Sequence, residues 1–146
     1  MLIEMKLEGL RELSKQLQLL PERVARNALR SAVYAGASVV RKAVKARAPV
    51  ATGKLKASVY QKQIREHSNL YTQVFFVGIR SGARKKRDGS KDFSRDAWYW
   101  RMHEMGTSKM AARPFVRPAF MAVHEEAARA IATKLADRIS EEARRS

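Results

Sequence analysis

The stretch LYTQVFFVGI, residues 70–79, decides the fold. It is rich in β-branched and aromatic residues and contains no proline, and so predicts a strand. Just upstream, residues 55–64 place Leu55, Ala57, Val59 and Gln61 on one face, a weaker strand pattern. Glu66-His67-Ser68-Asn69 would join the two runs into an antiparallel hairpin. Further out on each side lies a long helical pattern. Residues 22–47 are bounded by Pro21 and by Ala48-Pro49. Residues 118–143 carry the stripe Phe120, Val123, Ala127, Ile131, Leu135 and Ile139. The pattern predicts an α+β fold, a small antiparallel sheet packed against two long helices at about 22–47 and 118–143.

The remaining segments fill in around that frame. Residues 2–8 alternate, with Ile3, Met5 and Leu7 on one side and Glu4, Lys6 and Glu8 on the other, the period of a half-buried strand. Leu10, Leu13, Leu17 and Leu20 have helical spacing up to Pro21. The 22–47 helix has two stripes. One is Leu29, Val33, Gly36, Val40 and Val44; the other is Ala25, Ala28, Ala32, Ala35, Val39, Ala43 and Ala46. The alanine stripe allows another backbone to come close and is expected against the sheet or a neighbouring subunit. Residues 80–96 hold seven basic and three acidic residues without a period, and predict a mobile basic loop. Residues 97–105, with Trp98, Tyr99, Trp100, Met102 and Met105, fit a short helix or a strand.

A chain of 146 residues with 45% hydrophobic residues suits a single domain, 1–146, with a core of its own. The absence of cysteine excludes disulfides, thiolate metal sites and a cysteine nucleophile. No apolar run approaches the ~20 residues of a membrane span, and the N-terminus lacks the pattern of a signal peptide. Synthesis in the cytoplasm is the expectation. The net charge of +16 lies wholly in residues 21–120, because 1–20 and 121–146 are each neutral. Such a concentration suggests a polyanion or an acidic partner, with Arg84, Lys85, Lys86, Arg87 and Lys91 as the candidate contacts.

Catalytic chemistry is hard to place. His67, His103 and His124 have no metal-ligand spacing, and no phosphate-binding loop or nucleophile elbow occurs. A basic nuclease would need His67 or His103 as acid or base, and nothing in the spacing favours it. The expectation is a protein without enzymatic activity, metal, cofactor or small-molecule substrate. Two patches stand out instead. Ala48 to Ser58 joins a long helix to the sheet through Pro49 and the Thr52-Gly53 turn. Tyr99 to Phe120 sets one acid, Glu104, among Arg101, Lys109, Arg113 and Arg117. Glu104 is expected to pair with Arg113 or Arg117 and so tie the aromatic segment to the last helix.

At these two patches the sequence resembles the small tail-completion, or head–tail joining, proteins of long-tailed phages, the tail-component family of lambdoid siphophages. The first motif is carried by Ala48, Pro49, Thr52, Gly53, Leu55 and Ser58. The second is carried by Tyr99, Glu104, Gly106, Thr107, Arg113, Pro114, Phe115, Pro118, Ala119 and Phe120. Two departures are Met105, where the family usually has an aromatic residue, and the long basic segment 80–96. The resemblance implies a structural virion protein that assembles as a homo-oligomeric ring at the neck. Its implied partners are head-completion or connector proteins, tail-terminator or tail-tube proteins, and viral DNA. The alternative is a stand-alone nucleic-acid-binding module.

Overall fold

The computed structural model describes residues 10–49, 53–70, 72–93 and 96–145. The strand expected over residues 2–8, and Thr52 of the first motif, lie outside the described residues. In chain order the elements are α1 (Leu10–Gln18), α2 (Glu22–Arg47), the single turn α3 (Lys54–Ala57), β1 (Val59–Gln63), a 3-10 turn (Arg65–His67) and β2 (Phe75–Ile79). There follow β3 (Arg84–Lys85), β4 (Lys91–Asp92), α4 (Trp100–Met105) and α5 (Val116–Arg145). Helices α2 and α5 are the two long helices expected, and β1–β2 and β3–β4 are two small two-stranded sheets. The fold is α+β.

The residues group into two compact units. The first contains α1, α2 up to Val39, residues 62–76 and α5 from His124. Its core is Ala28 and Ala32 of α2 with Leu135 and Ile139 of α5, covered by Leu13, Leu17, Leu20 and Ile131. Small residues at a spacing of four form a shallow groove along α2 that admits the α5 side chains. Gly36 continues that row, and a Cβ there would lie 2.5 Å from Ile131 Cγ1 and 3.2 Å from the Ala127 carbonyl oxygen. Gly36 thus belongs with Ala28 and Ala32 rather than with the valine stripe. The N-terminal part of the alanine stripe meets α5 of its own chain, which is neither the sheet nor another subunit. Tyr34 packs edge-on against Phe75, with ring centroids 5.9 Å apart.

The second unit contains α2 from Val40, α3, residues 58–61 and 77–79, the β3–β4 hairpin, α4 and the start of α5. Its core joins Val44, Ala48, Leu55, Val59, Ile79, Ala97, Phe115 and Ala119, with Val40, Ala43, Val77, Tyr99 and Trp100 packed on it. The alanine stripe's Ala43 therefore packs against a core to which the sheet contributes Val59 and Ile79.

Three expectations need correction. The strand 55–64 begins only at Val59, because residues 54–57 form a helical turn whose end is held by the Ser58 hydroxyl donating to the Lys54 carbonyl oxygen at 2.6 Å. Of the strand 70–79, residue 71 lies outside the described residues, and the described part is strand only over Phe75–Ile79. Ahead of it, Asn69 closes a turn: its N–H donates to the Thr72 carbonyl oxygen, and its Oδ1 accepts the Thr72 N–H. The pair is antiparallel, as expected: Ile64 N–H donates to Val74 O at 2.9 Å, and Arg80 N–H to Ser58 O at 2.9 Å. Finally, the described part of segment 80–96, residues 80–93 and 96, is not an irregular loop. It carries the antiparallel ladder Arg84↔Asp92 and Lys85↔Lys91, closed by a turn in which Gly89 N–H donates to Lys86 O. Gly89 has φ +86°, the left-handed residue that closes a three-residue hairpin loop.

Candidate functional site

The two motifs meet in the core of the second unit. From the first, Ala48 and Leu55 are buried, and Gly53 supplies φ +73° immediately before α3. Ser58 is wholly buried and links three segments. Its N–H donates to Leu55 O at 3.1 Å, its hydroxyl to Lys54 O, and its carbonyl accepts Arg80 N–H, whose own carbonyl accepts Ala97 N–H at 3.0 Å. Pro49 is half-buried where the chain leaves α2. From the second motif, Phe115 and Ala119 are buried in the same cluster, and Tyr99 packs against it. Pro118 and Phe120 are half-buried, whereas Arg113 and Pro114 are exposed.

Glu104 sits at the centre of this arrangement, half-buried on α4. Its Oε2 accepts the N–H groups of Phe115 at 2.8 Å and Val116 at 3.0 Å, and its Oε1 accepts that of Arg117 at 3.0 Å. Pro118 has no N–H, and Ala119 N–H starts the helical ladder on Phe115 O at 3.2 Å. Every donor that a helix start leaves without an intrahelical acceptor is accounted for here. The carboxylate also sits at the positive end of the α5 dipole. Glu104 therefore ties α4 to α5 as expected, but through backbone amides and not through Arg113 or Arg117. Among the described residues its carboxylate makes no ion pair. Three converging N–H groups take three of the roughly four acceptor sites on the two oxygens.

The loop between Glu104 and α5 is set by Gly106 and Thr107. Gly106 has φ +74°, and a Cβ there would lie 2.7 Å from Ala112 N, so only glycine fits. Thr107 exchanges backbone hydrogen bonds with Met110, and its Oγ1 accepts the Met110 N–H at 3.0 Å. Arg113 contributes its backbone, donating N–H to His103 O at 2.7 Å.

The outer side of α4 and of the turn just before it is apolar and, among the described residues, exposed. Trp98, Met102 and Met105 are 62%, 41% and 76% exposed, at steps of four and three residues. Tyr99 and Trp100 face the core, and the Arg101 guanidinium lies 5.6 Å over the Trp100 ring. The sequence points to this segment without telling its two faces apart; the exposed face needed the helix assignment that residues 97–105 leave open.

The five candidate polyanion contacts lie on the hairpin, Arg84 and Lys85 on β3, Lys91 on β4, Lys86 and Arg87 in the turn, all exposed. Asp88 in that turn accepts hydrogen bonds from the Ser90 hydroxyl at 2.6 Å and the Ser90 N–H at 2.9 Å, which hold its carboxyl below the usual range. The histidines do not converge. His67 is exposed in the 3-10 turn, His103 packs edge-on against Tyr99, and His124 is half-buried on α5. Among the described residues no group of histidines and carboxylates could hold a metal ion, and no helix is long and apolar enough to cross a membrane.

No curated protein and no solved structure matches the chain. A family model described as "Bacteriophage HK97-gp10, putative tail-component" matches residues 11–106, from α1 through Gly106. That span includes the whole first motif and Tyr99, Glu104 and Gly106 of the second. The chain therefore belongs to the HK97-gp10 family of phage tail components.

Proposed function

We propose that the protein is a tail-completion, or head–tail joining, component that acts at the virion neck by assembly and not by catalysis. Copies would close into a ring through heterologous contacts. The ring would seat against a head-completion or connector ring on one side and a tail-terminator or tail-tube ring on the other. The observation that carries this reading is the exposed row made by Trp98, in the turn just before α4, with Met102 and Met105 of α4, three large apolar side chains on a firmly held segment. Contiguous apolar surface of this kind marks an interaction site, and tryptophan is a frequent energetic anchor in one.

The test is made in the phage that carries this gene, with Trp98→Ser and Met105→Lys introduced together. Both side chains are exposed, so the purified variant should unfold at the same urea concentration as the parent. Electron microscopy of lysates should then show filled heads and free tails in place of joined virions. Normal yields of infectious particles would refute the assembly reading and favour the stand-alone nucleic-acid-binding module, to which this face is irrelevant.

A further inference from the structure

We infer that the β3–β4 ribbon docks on the phosphate backbone of duplex DNA without reading its sequence. This deepens the reading of a neck component, and rests on it only for DNA being the polyanion within reach. The argument starts from the register. In an antiparallel pair, directly opposed residues share a face and successive residues alternate between faces. Arg84 opposite Asp92 puts complementary charges on one face of the ribbon; Lys85 opposite Lys91 puts two ammonium groups on the other. Like charges directly opposed destabilise a ladder. Neither lysine has a hydrogen-bond or ion-pair partner among the described residues. An anion held between them removes that repulsion.

The rest of the ribbon points the same way. Its turn adds Lys86 and Arg87, and the one acid there, Asp88, is folded back onto Ser90. The ribbon is fixed at its root. Gly82 N–H donates to Asp96 Oδ1 at 2.7 Å, Ala97 N–H to Arg80 O at 3.0 Å, and Ile79 and Ala97 are buried on either side. Its cations are therefore presented on a fixed mount. Residues 84–92 contain no apolar side chain; Phe93, directly after β4, is 54% exposed but lies at the root of the ribbon and not among its cations, and lysine is depleted at protein–protein interfaces. Phosphate contacts from lysine and arginine position a protein on DNA without specifying sequence, and a two-stranded ribbon has the width of the major groove. The observations favour nucleic acid over an acidic protein.

The test is fluorescence anisotropy with a labelled duplex of about 20 base pairs, across a salt series, on the full-length protein. The ribbon variant is Lys85→Gln with Lys91→Gln. The control, Arg23→Gln with Arg26→Gln, removes the same charge from an exposed part of α2. The parent should lose affinity with salt at a log–log slope of about −0.9 per phosphate contacted. The ribbon variant should flatten that slope by about 2 and weaken binding about tenfold at low salt, while the control stays close to the parent. Equal effects in the two variants would mean diffuse attraction to a +16 protein and would overturn the inference. So would a ribbon variant that binds duplex like the parent yet fails to join heads to tails, since the ribbon would then serve an acidic protein. A negative result here leaves the Trp98 and Met105 experiment untouched, so the two readings fail separately.

Discussion

Replacing Glu104 with glutamine keeps the side chain's shape and removes its charge, and the structure gives the expected loss. In the parent, three backbone N–H groups converge on the two carboxylate oxygens at 2.8–3.0 Å. The glutamine oxygen can retain Phe115 and Val116, but its amide group then opposes the Arg117 N–H. One hydrogen bond is lost, worth about 1 kcal/mol net. The two that remain lose their charge assistance, another ~1 kcal/mol. The favourable meeting of carboxylate and helix dipole, about 0.3–1 kcal/mol, also goes. Partial exposure trims the sum, because the Arg117 N–H can take a water instead. The expected destabilisation is about 2 kcal/mol, or roughly 5–8 °C in Tm for a domain of this size. It is measured by urea unfolding followed by circular dichroism, as a lower midpoint at unchanged slope. The companion variant, Arg113→Gln with Arg117→Gln, should change stability by less than about 0.5 kcal/mol. If Glu104→Gln were as stable as the parent, or the double arginine variant lost as much as Glu104→Gln, backbone capping would be the wrong account.

Three more outcomes are expected. Gly106→Ala should destabilise by about 3 kcal/mol, since strain at φ +74° adds to a 2.7 Å approach to the Ala112 nitrogen, whereas Gly53→Ala, with open space around it, should cost about 1 kcal/mol. Gly36→Ala tests the sign of a helix substitution: propensity alone favours alanine by up to ~1 kcal/mol, but the Ile131 and Ala127 approach should turn this into a net loss of about 1 kcal/mol in urea unfolding. Ser90→Ala should raise the Asp88 pKa towards the ordinary carboxylate value, followed by carbonyl NMR. The parent's lowered pKa favours the folded carboxylate, so its contribution is present above the unfolded pKa and disappears as pH falls through the folded one. An unmoved titration in Ser90→Ala would show that the Ser90 hydroxyl does not set it, since the residue-90 N–H bond remains in the variant.

What the sequence discloses depends on how far apart the determining residues lie. Helix α2 runs from Glu22 to Arg47 as its punctuation predicts, because Pro21 and Ala48-Pro49 act on their immediate neighbours. Helix α5 starts at Val116, two residues before the expected Pro118, because its cap is Glu104, eleven residues before Phe115, and no local pattern announces it. The spacing of Leu55 and Val59 is compatible with alternation, and equally with one helical turn followed by a strand; the buried Ser58 between them shows which. The missed hairpin did have a local signal. Asp88-Gly89 is a strong turn dipeptide, but the surrounding residues are all polar, so there was no hydrophobic alternation from which to read the strands. The expected partnership of Glu104 with the last helix was legible from its isolation among cations, while the identity of the donors was not, since backbone N–H groups leave no mark in a sequence.

A helix of six residues has little stability of its own in water, so α4 keeps its shape through what surrounds it. Tyr99 and Trp100 hold its inner side, Gly106 N–H closes its end on Met102 O at 2.8 Å, and Glu104 fastens it to α5. The motif residues at this site build a mount, whereas the exposed row, Trp98, Met102 and Met105, falls outside the motif. A partner that docks on this row meets a surface already ordered, and the entropy of fixing the helix is not subtracted from the binding energy. In the proposed assembly, specificity for a neighbouring ring would then reside in the exposed row, and Glu104, Gly106 and Phe115 would set only the angle at which it is offered.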